Sequence, residues 1–282
     1  MPPSLVFKSH PIGHRGDHGA LVYTGPLAPD GHSPAETLGE GEAYTALLLG
    51  KNIVVETHHC MCLSLDTDSG SICSEPMVCP LATDITYASA TRIGDSVYVY
   101  GGHSGGVSLD TLHTYSIRSG EWHQIPKTGD WPSPRYCHTA FTLGGMLYIA
   151  GGYDDSGHAT GAGCYDTVGG VFTWLPDPPS PFAYSCAVTQ GERVLLIGSD
   201  MGEGMQHLSY TQAEGWCPER DGSAYGVYAA GAVSIRGTVY VIGGYTETDG
   251  NRVHILPQPC ETDTCTWRLG EDMPVCTGDT RC

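Results

Sequence analysis

The chain has 282 residues, with Lys+Arg 13 against Asp+Glu 31 and a net charge of -18. That balance argues against nucleic acid or an anionic membrane surface as a partner, and no stretch of about 18 apolar residues offers a membrane span. The opening Met1-Pro-Pro-Ser-Leu-Val-Phe-Lys lacks a hydrophobic signal core, so a secreted native form would have lost its leader.

In chain order the first predicted strand is Leu5-Val-Phe-Lys-Ser-His10, inside a segment Met1–Tyr44 that reads as a repeat without its first strand. Lys51–His59 holds the next strong strand, Lys-Asn-Ile-Val-Val-Glu-Thr-His-His, and ends in Glu56-Thr57 where later copies carry glycines. Those copies are plain. Ser-Val-Tyr-Val-Tyr-Gly-Gly ends at Gly102, Met-Leu-Tyr-Ile-Ala-Gly-Gly at Gly152, Arg-Val-Leu-Leu-Ile-Gly-Ser at Ser199 and Thr-Val-Tyr-Val-Ile-Gly-Gly at Gly244, a spacing of 45 to 50 residues. A polar loop, an aromatic (Tyr115, Tyr165, Tyr210) and then a tryptophan (Trp122, Trp174, Trp216) follow the first three of these, and Trp267 closes the fourth. Met273–Cys282 looks like the opening of one more copy.

A period of this length, with apolar strand, glycine pair, Tyr and Trp in fixed order, is what a four-stranded propeller blade requires. A β-branched and aromatic run suits a strand buried on both faces between stacked blades. The glycine pair lets the backbone turn with positive φ where neighbours crowd. The tryptophans fill space between blades, so Trp174→Ala is expected to cost about 3 to 5 kcal/mol if its ring is buried.

These motifs resemble the kelch repeat. The resemblance implies an all-β, six-bladed propeller of four-stranded blades, with blades at about 44–86, 87–135, 136–183, 184–227 and 228–275 and a sixth made of 276–282 plus 1–43. The two chain ends would close the ring and remove free sheet edges. One such propeller uses all 282 residues and leaves the recruiting domains of larger kelch proteins without room.

The twelve cysteines are an even count with local pairs: Cys60, Cys62, Cys73 and Cys79 bracket one predicted hairpin, Cys260 and Cys265 another, and Cys276 and Cys282 lie at the end. This pattern favours disulfides, Cys260–Cys265 first, and a secreted or otherwise oxidising location. The alternative is a cytoplasmic protein in which Cys137, Cys164 and Cys186 are free buried thiols. His58-His59 before Cys60-x-Cys62 has the wrong spacing and no second tight pair for structural zinc. Gly-His-Ser-Gly-Gly at 102–106 lacks the Lys-Ser/Thr end of a phosphate loop.

Loops at the axial mouth of a propeller are the expected place for function. The slot after the glycine step holds His10, His58, His103, Tyr153, Asp200 and Tyr245, and the slot before each innermost strand holds Tyr44, Tyr87, Tyr136, Tyr184 and Tyr228, with Arg135 and His138 beside Tyr136. The tyrosines precede the glycine position by 12 to 15 residues, and because a one-residue shift reverses a strand side chain, not all of them need face the mouth.

The first functional reading is a small-molecule enzyme: a non-redox, cofactor-independent isomerisation, elimination or cyclisation in a Tyr/His-lined pocket. His10, His58, His103 and Asp200 would supply acid–base groups, and Tyr44, Tyr87, Tyr136, His138, Tyr153, Tyr184, Tyr228 and Tyr245 would hold the substrate. The alternative is a non-catalytic binding module for a protein or glycan at the same face. A third is an iron site built from His10, His58, His103 and Asp200, with copper, as in galactose-oxidase-type propellers, the other metal that the resemblance suggests. A mouth rich in tyrosine and poor in arginine does not suit an acidic peptide.

Overall fold

The computed structural model describes residues 5–11, 18–24, 45–49, 52–56, 61–65, 72–76, 85, 87–116, 118–199, 207–219, 230–235, 237–242, 253–256 and 267–270, those before residue 85 as backbone strands. Every element among them is a strand. β1 (Leu5–Pro11) and β2 (His18–Thr24) form an antiparallel pair. Five four-stranded antiparallel sheets follow. They are β3 (Thr45–Leu49), β4 (Asn52–Glu56), β5 (Met61–Leu65) and β6 (Ile72–Pro76); then β7 (Ser89–Ile93), β8 (Ser96–Tyr100), β11 (Leu112–Ser116) and β12 (Glu121–Ile125). Between β8 and β11 sits a two-residue hairpin, β9 (His103–Ser104) with β10 (Val107–Ser108). The third sheet is β13 (Thr139–Leu143), β14 (Met146–Ala150), β17 (Ala162–Asp166) and β18 (Val171–Leu175), again with a small hairpin, β15 (Tyr153–Asp154) with β16 (Gly157–His158). The last two are β19 (Cys186–Gln190), β20 (Arg193–Ile197), β21 (His207–Thr211) and β22 (Gly215–Glu219), and β23 (Gly231–Ile235), β24 (Thr238–Ile242), β25 (Val253–Leu256) and β26 (Arg268–Leu269).

The first strands of successive sheets touch in series, β3 to β7, β7 to β13, β13 to β19 and β19 to β23, and β2 lies against β23. This is a β-propeller with its first strands innermost. The repeat-derived second strands carry the expected burial: β14 and β20 are buried at four of five positions and β8 and β24 at three.

The core is divided among the spaces between blades rather than gathered in one place. Phe141 and Tyr148 stack at 5.0 Å and meet Tyr210 and Trp216 of the next blade. Val188, Leu195 and Ile197 pack on Val239 and Val241 one blade further. Each such apolar side chain contributes roughly 1.5–3 kcal/mol by burial.

Two sequence expectations shift in detail. Strand register pairs Tyr115 with Trp122, Tyr165 with Phe172 and Tyr210 with Trp216. Phe172, 5% exposed, therefore takes the slot assigned to Trp174, which lies two residues on, opposite Gly163, and is 42% exposed. The connection of this hairpin fixes that register, and a Tyr-to-Trp distance alone does not see it. Cys137, Cys164, Cys186 and Cys217 all carry thiols rather than disulfides, the first two buried. Cys62 and Cys73 do lie on the paired strands β5 and β6, as the hairpin expectation required, whereas Cys260 and Cys265 lie outside the described residues.

Candidate functional site

The mouth is built from turns that enter the innermost strands. Tyr87, Cys137 and Tyr184 have φ of 58°, 53° and 57°, the left-handed region that non-glycine residues enter at a cost. Each stands 14 residues before the first glycine position of its blade, at 101, 151 and 198. Backbone bonds link them from blade to blade: the Cys137 N–H donates to the Tyr87 carbonyl at 3.0 Å, and the Tyr184 N–H to the Cys137 carbonyl at 2.9 Å. A second tie runs beside it, since Gly102 N–H donates to the Arg135 carbonyl at 2.9 Å and Gly152 N–H to the Phe182 carbonyl at 2.8 Å. At Gly151, with φ of 67°, an added Cβ would strike the Phe182 carbonyl and ring, so only glycine fits there.

The tyrosine at 136 is thus one residue out of step with those at 87 and 184. It pairs instead with Tyr153 through two backbone bonds, 2.9 and 2.8 Å, which brings their rings into a stack at 5.7 Å. The four rings form a closed cycle: Tyr87 to Tyr136 at 6.3 Å, Tyr136 to Tyr153 at 5.7 Å, Tyr153 to Tyr184 at 6.1 Å and Tyr184 back to Tyr87 at 6.2 Å. All four are half-buried. His103 stands against Tyr136 at 5.2 Å and the exposed His158 against Tyr153 at 4.6 Å.

Two carboxylates border the cycle. Asp154 accepts from the Ser156 N–H and hydroxyl at 2.8 and 2.6 Å, and the hydroxyl bond in particular holds its pKa below the usual carboxylate range. Asp155 accepts from the Ser108 N–H and hydroxyl at 3.0 and 2.5 Å, tying two neighbouring blades at the face. Both act on the Tyr136 phenol, whose pKa is raised chiefly by desolvation and further by Cys137, Asp155 and Asp154. It is a neutral hydrogen-bond donor at pH 7.

His138, expected in the pocket, belongs to the wall instead. It is 7% exposed, wedged between Gly101 and Gly152, edge-on to Tyr100 at 5.4 Å, and shares a 2.6 Å hydrogen bond through Nε2 with the Ser89 hydroxyl. Burial first, and Arg135 second, lower its pKa to about 3. The Arg135 side chain, 1% exposed, is also turned inward, donating to the carbonyls of Gly151 at 3.1 Å and Ser133 at 3.2 Å and to the Ser133 hydroxyl at 2.8 Å.

Of the remaining expected residues, His10 lies in β1 opposite Gly19, and His58, Asp200, Tyr44, Tyr228 and Tyr245 lie outside the described residues. Among the described residues the structure therefore brings together His103, Tyr87, Tyr136, Tyr153 and Tyr184, and no group of three His, Cys, Asp or Glu side chains could hold a metal ion. Sequence reasoning missed Cys137, His158, Asp154 and Asp155. The constant 14-residue spacing would have found Cys137; the small hairpin that brings the other three to the face has only two-residue strands.

Residues 55–200, just over half of the chain, match the KLHDC2/KLHL20/DRC7 Kelch-repeats domain. Spermatocyte protein spe-26 of Caenorhabditis elegans is 23% identical over 172 residues, covering 58% of this chain and 30% of that protein. Kelch domain-containing protein 3 is 29% identical over 126 residues in Rattus norvegicus and 30% over 128 in Homo sapiens, each covering 40% of this chain and 33% of the relative. The chain spans about a third of the length of these relatives. The solved structure of YjhT shares the fold, with a TM-score of 0.62 at 15% identity over 78% of this chain and 75% of that one. With its glycine-stepped four-stranded repeats and a family match over more than half its length, the chain belongs to the kelch-repeat family.

Proposed function

We propose that this propeller is a non-catalytic binding module that recognises a protein through its axial face. The observation that carries this reading is the ring of four half-buried tyrosines drawn from three successive blades. Tyrosine offers a large apolar face and a polar tip with few rotamers to fix, the composition of binding hot spots. Kelch-domain relatives support the same reading. In this reading the ring is completed as six blades, with the pair β1 and β2 in the sixth, and β2 lies against β23 of the fifth.

A photo-crosslinking residue at His158, on the face, should trap a partner in cells that the same group at Val168, 96% exposed on the outer rim, does not trap. Combining it with Tyr136→Ala and Tyr153→Ala should remove the adduct. Equal trapping at both positions, or an adduct indifferent to both tyrosine changes, would refute the reading.

The cofactor-independent isomerase, lyase or cyclase is the second reading, favoured by the His103 ring against the neutral phenol of Tyr136. It requires His10, His58 and Asp200 to converge on that pair. Under it, His103→Ala abolishes turnover of a small molecule retained by the purified protein and leaves the thermal midpoint unchanged, whereas under the binding reading that molecule is recovered unaltered.

A further inference from the structure

Resting on the binding-module reading and deepening it, we infer that the tyrosine ring is a cage for a cation, and that the partner presents a lysine or arginine side chain of a peptide segment to it. The four ring-to-ring distances of 5.7 to 6.3 Å describe a quadrilateral. If it is near square, its centre lies roughly 4 Å from each ring, inside the reach of about 6 Å over which a cation is held by an aromatic face. The arrangement also avoids one flat stack: Tyr136 and Tyr153 are 26° apart, Tyr87 and Tyr184 83°, Tyr153 and Tyr184 61°. The four rings are thereby inclined to one another around the quadrilateral, and a cation at its centre is within reach of all four.

The electrostatics have the matching sign. Asp154 and Asp155 stand beside the ring, each with its carboxylate held by a serine N–H and hydroxyl. The Arg135 guanidinium, whose charge reaches Asp154, is buried and directed at the Gly151, Gly161 and Ser133 carbonyls. A net charge of -18 adds a long-range field that draws cationic segments and repels acidic ones. A peptide source is favoured over a small quaternary ammonium because the small hairpins of two blades, with exposed Val107 and His158, extend the face beyond the ring and give a chain something to lie against.

The test uses the whole chain and fluorescent peptide pools of degenerate background that differ at one fixed position: lysine, trimethyl-lysine, arginine, glutamine, norleucine or glutamate. The expected result is binding of the lysine, trimethyl-lysine or arginine pools at least about tenfold tighter than glutamine and norleucine, weakened by added salt, with no binding of glutamate. Tyr136→Ala and Tyr153→Ala should each lose about tenfold, while Tyr153→Phe, which keeps the ring face, stays within about threefold. Far-ultraviolet circular dichroism and the thermal midpoint confirm that the variants fold. Free tetramethylammonium chloride serves as competitor. If it binds the ring while no peptide pool does, the occupant is a small cation and the proposal fails. If the norleucine pool equals the lysine pool, or no pool binds, the cage idea fails while crosslinking from His158 can still uphold the binding module. If that crosslinking is also indifferent to the tyrosines, both fall.

Discussion

The blade that opens at Tyr87 and the blade that opens at Tyr136 share a backbone plan and differ in which side chains occupy it. In the first, Tyr87 holds the left-handed turn and Trp122 fills the slot opposite Tyr115. In the second, Cys137 holds that turn and Phe172 stands opposite Tyr165, so the aromatic has moved back one residue at the mouth and forward two, to Trp174, at the rim. What repeats is where the chain must turn and where it must be thin; side-chain identity slides around those points. The slide at the mouth has a consequence, because it pairs Tyr136 with Tyr153 and so closes the ring of tyrosines.

The most severe way to break this comparison is to attack the shared plan. Gly151→Ala puts a methyl onto the immovable Phe182 carbonyl at φ 67° and should cost about 3 to 5 kcal/mol, against about 1 kcal/mol for Gly94→Ala, where φ is 60° but the space is open. Chemical denaturation of the two variants decides it, and equal losses would mean that crowding between blades is not what selects the glycine.

The rim is tested next by Phe172→Ala, expected to cost about 3 kcal/mol, beside Trp174→Ala at about 1 kcal/mol, in the order of their burial. A reversal in urea midpoints would restore Trp174 to the interblade slot.

Acid sharpens the contrast between wall and mouth. Burial lowers the pKa of His138 to about 3 and that of His207, packed on Trp267 at 5.4 Å, to about 4. A histidine with a depressed folded pKa is protonated more readily in the unfolded chain, so its contribution is complete above about pH 6.5 and is lost as pH falls toward the folded value, at roughly 1.4 kcal/mol per pH unit. Stability should therefore decline between about pH 6 and 4.5, before ordinary carboxylates titrate. His207→Gln should flatten that decline, and an unchanged slope would remove His207 from it.

The smallest effect is expected at the turn itself. Cys137→Val places a β-branched residue at φ 53° and should cost about 1 to 2 kcal/mol, while Cys137→Gly is nearly neutral because relief of the backbone offsets the lost side chain.

The sequence by itself determined the all-β repeat, the second strands of each blade, the glycine steps and the presence of His103, Tyr87, Tyr136, Tyr153 and Tyr184 at one end. These follow from local rules: apolar runs make buried strands, and paired glycines make turns that a side chain would forbid. Only the tertiary structure decided which aromatic faces which neighbour. It placed His138 in the wall, gave the slot of Trp174 to Phe172, and joined four tyrosines with Asp154 and Asp155 into one face. The reason is register: a slip of one residue within a turn leaves the repeat length almost untouched, yet it redirects a side chain, and its new neighbours come from blades some fifty residues away.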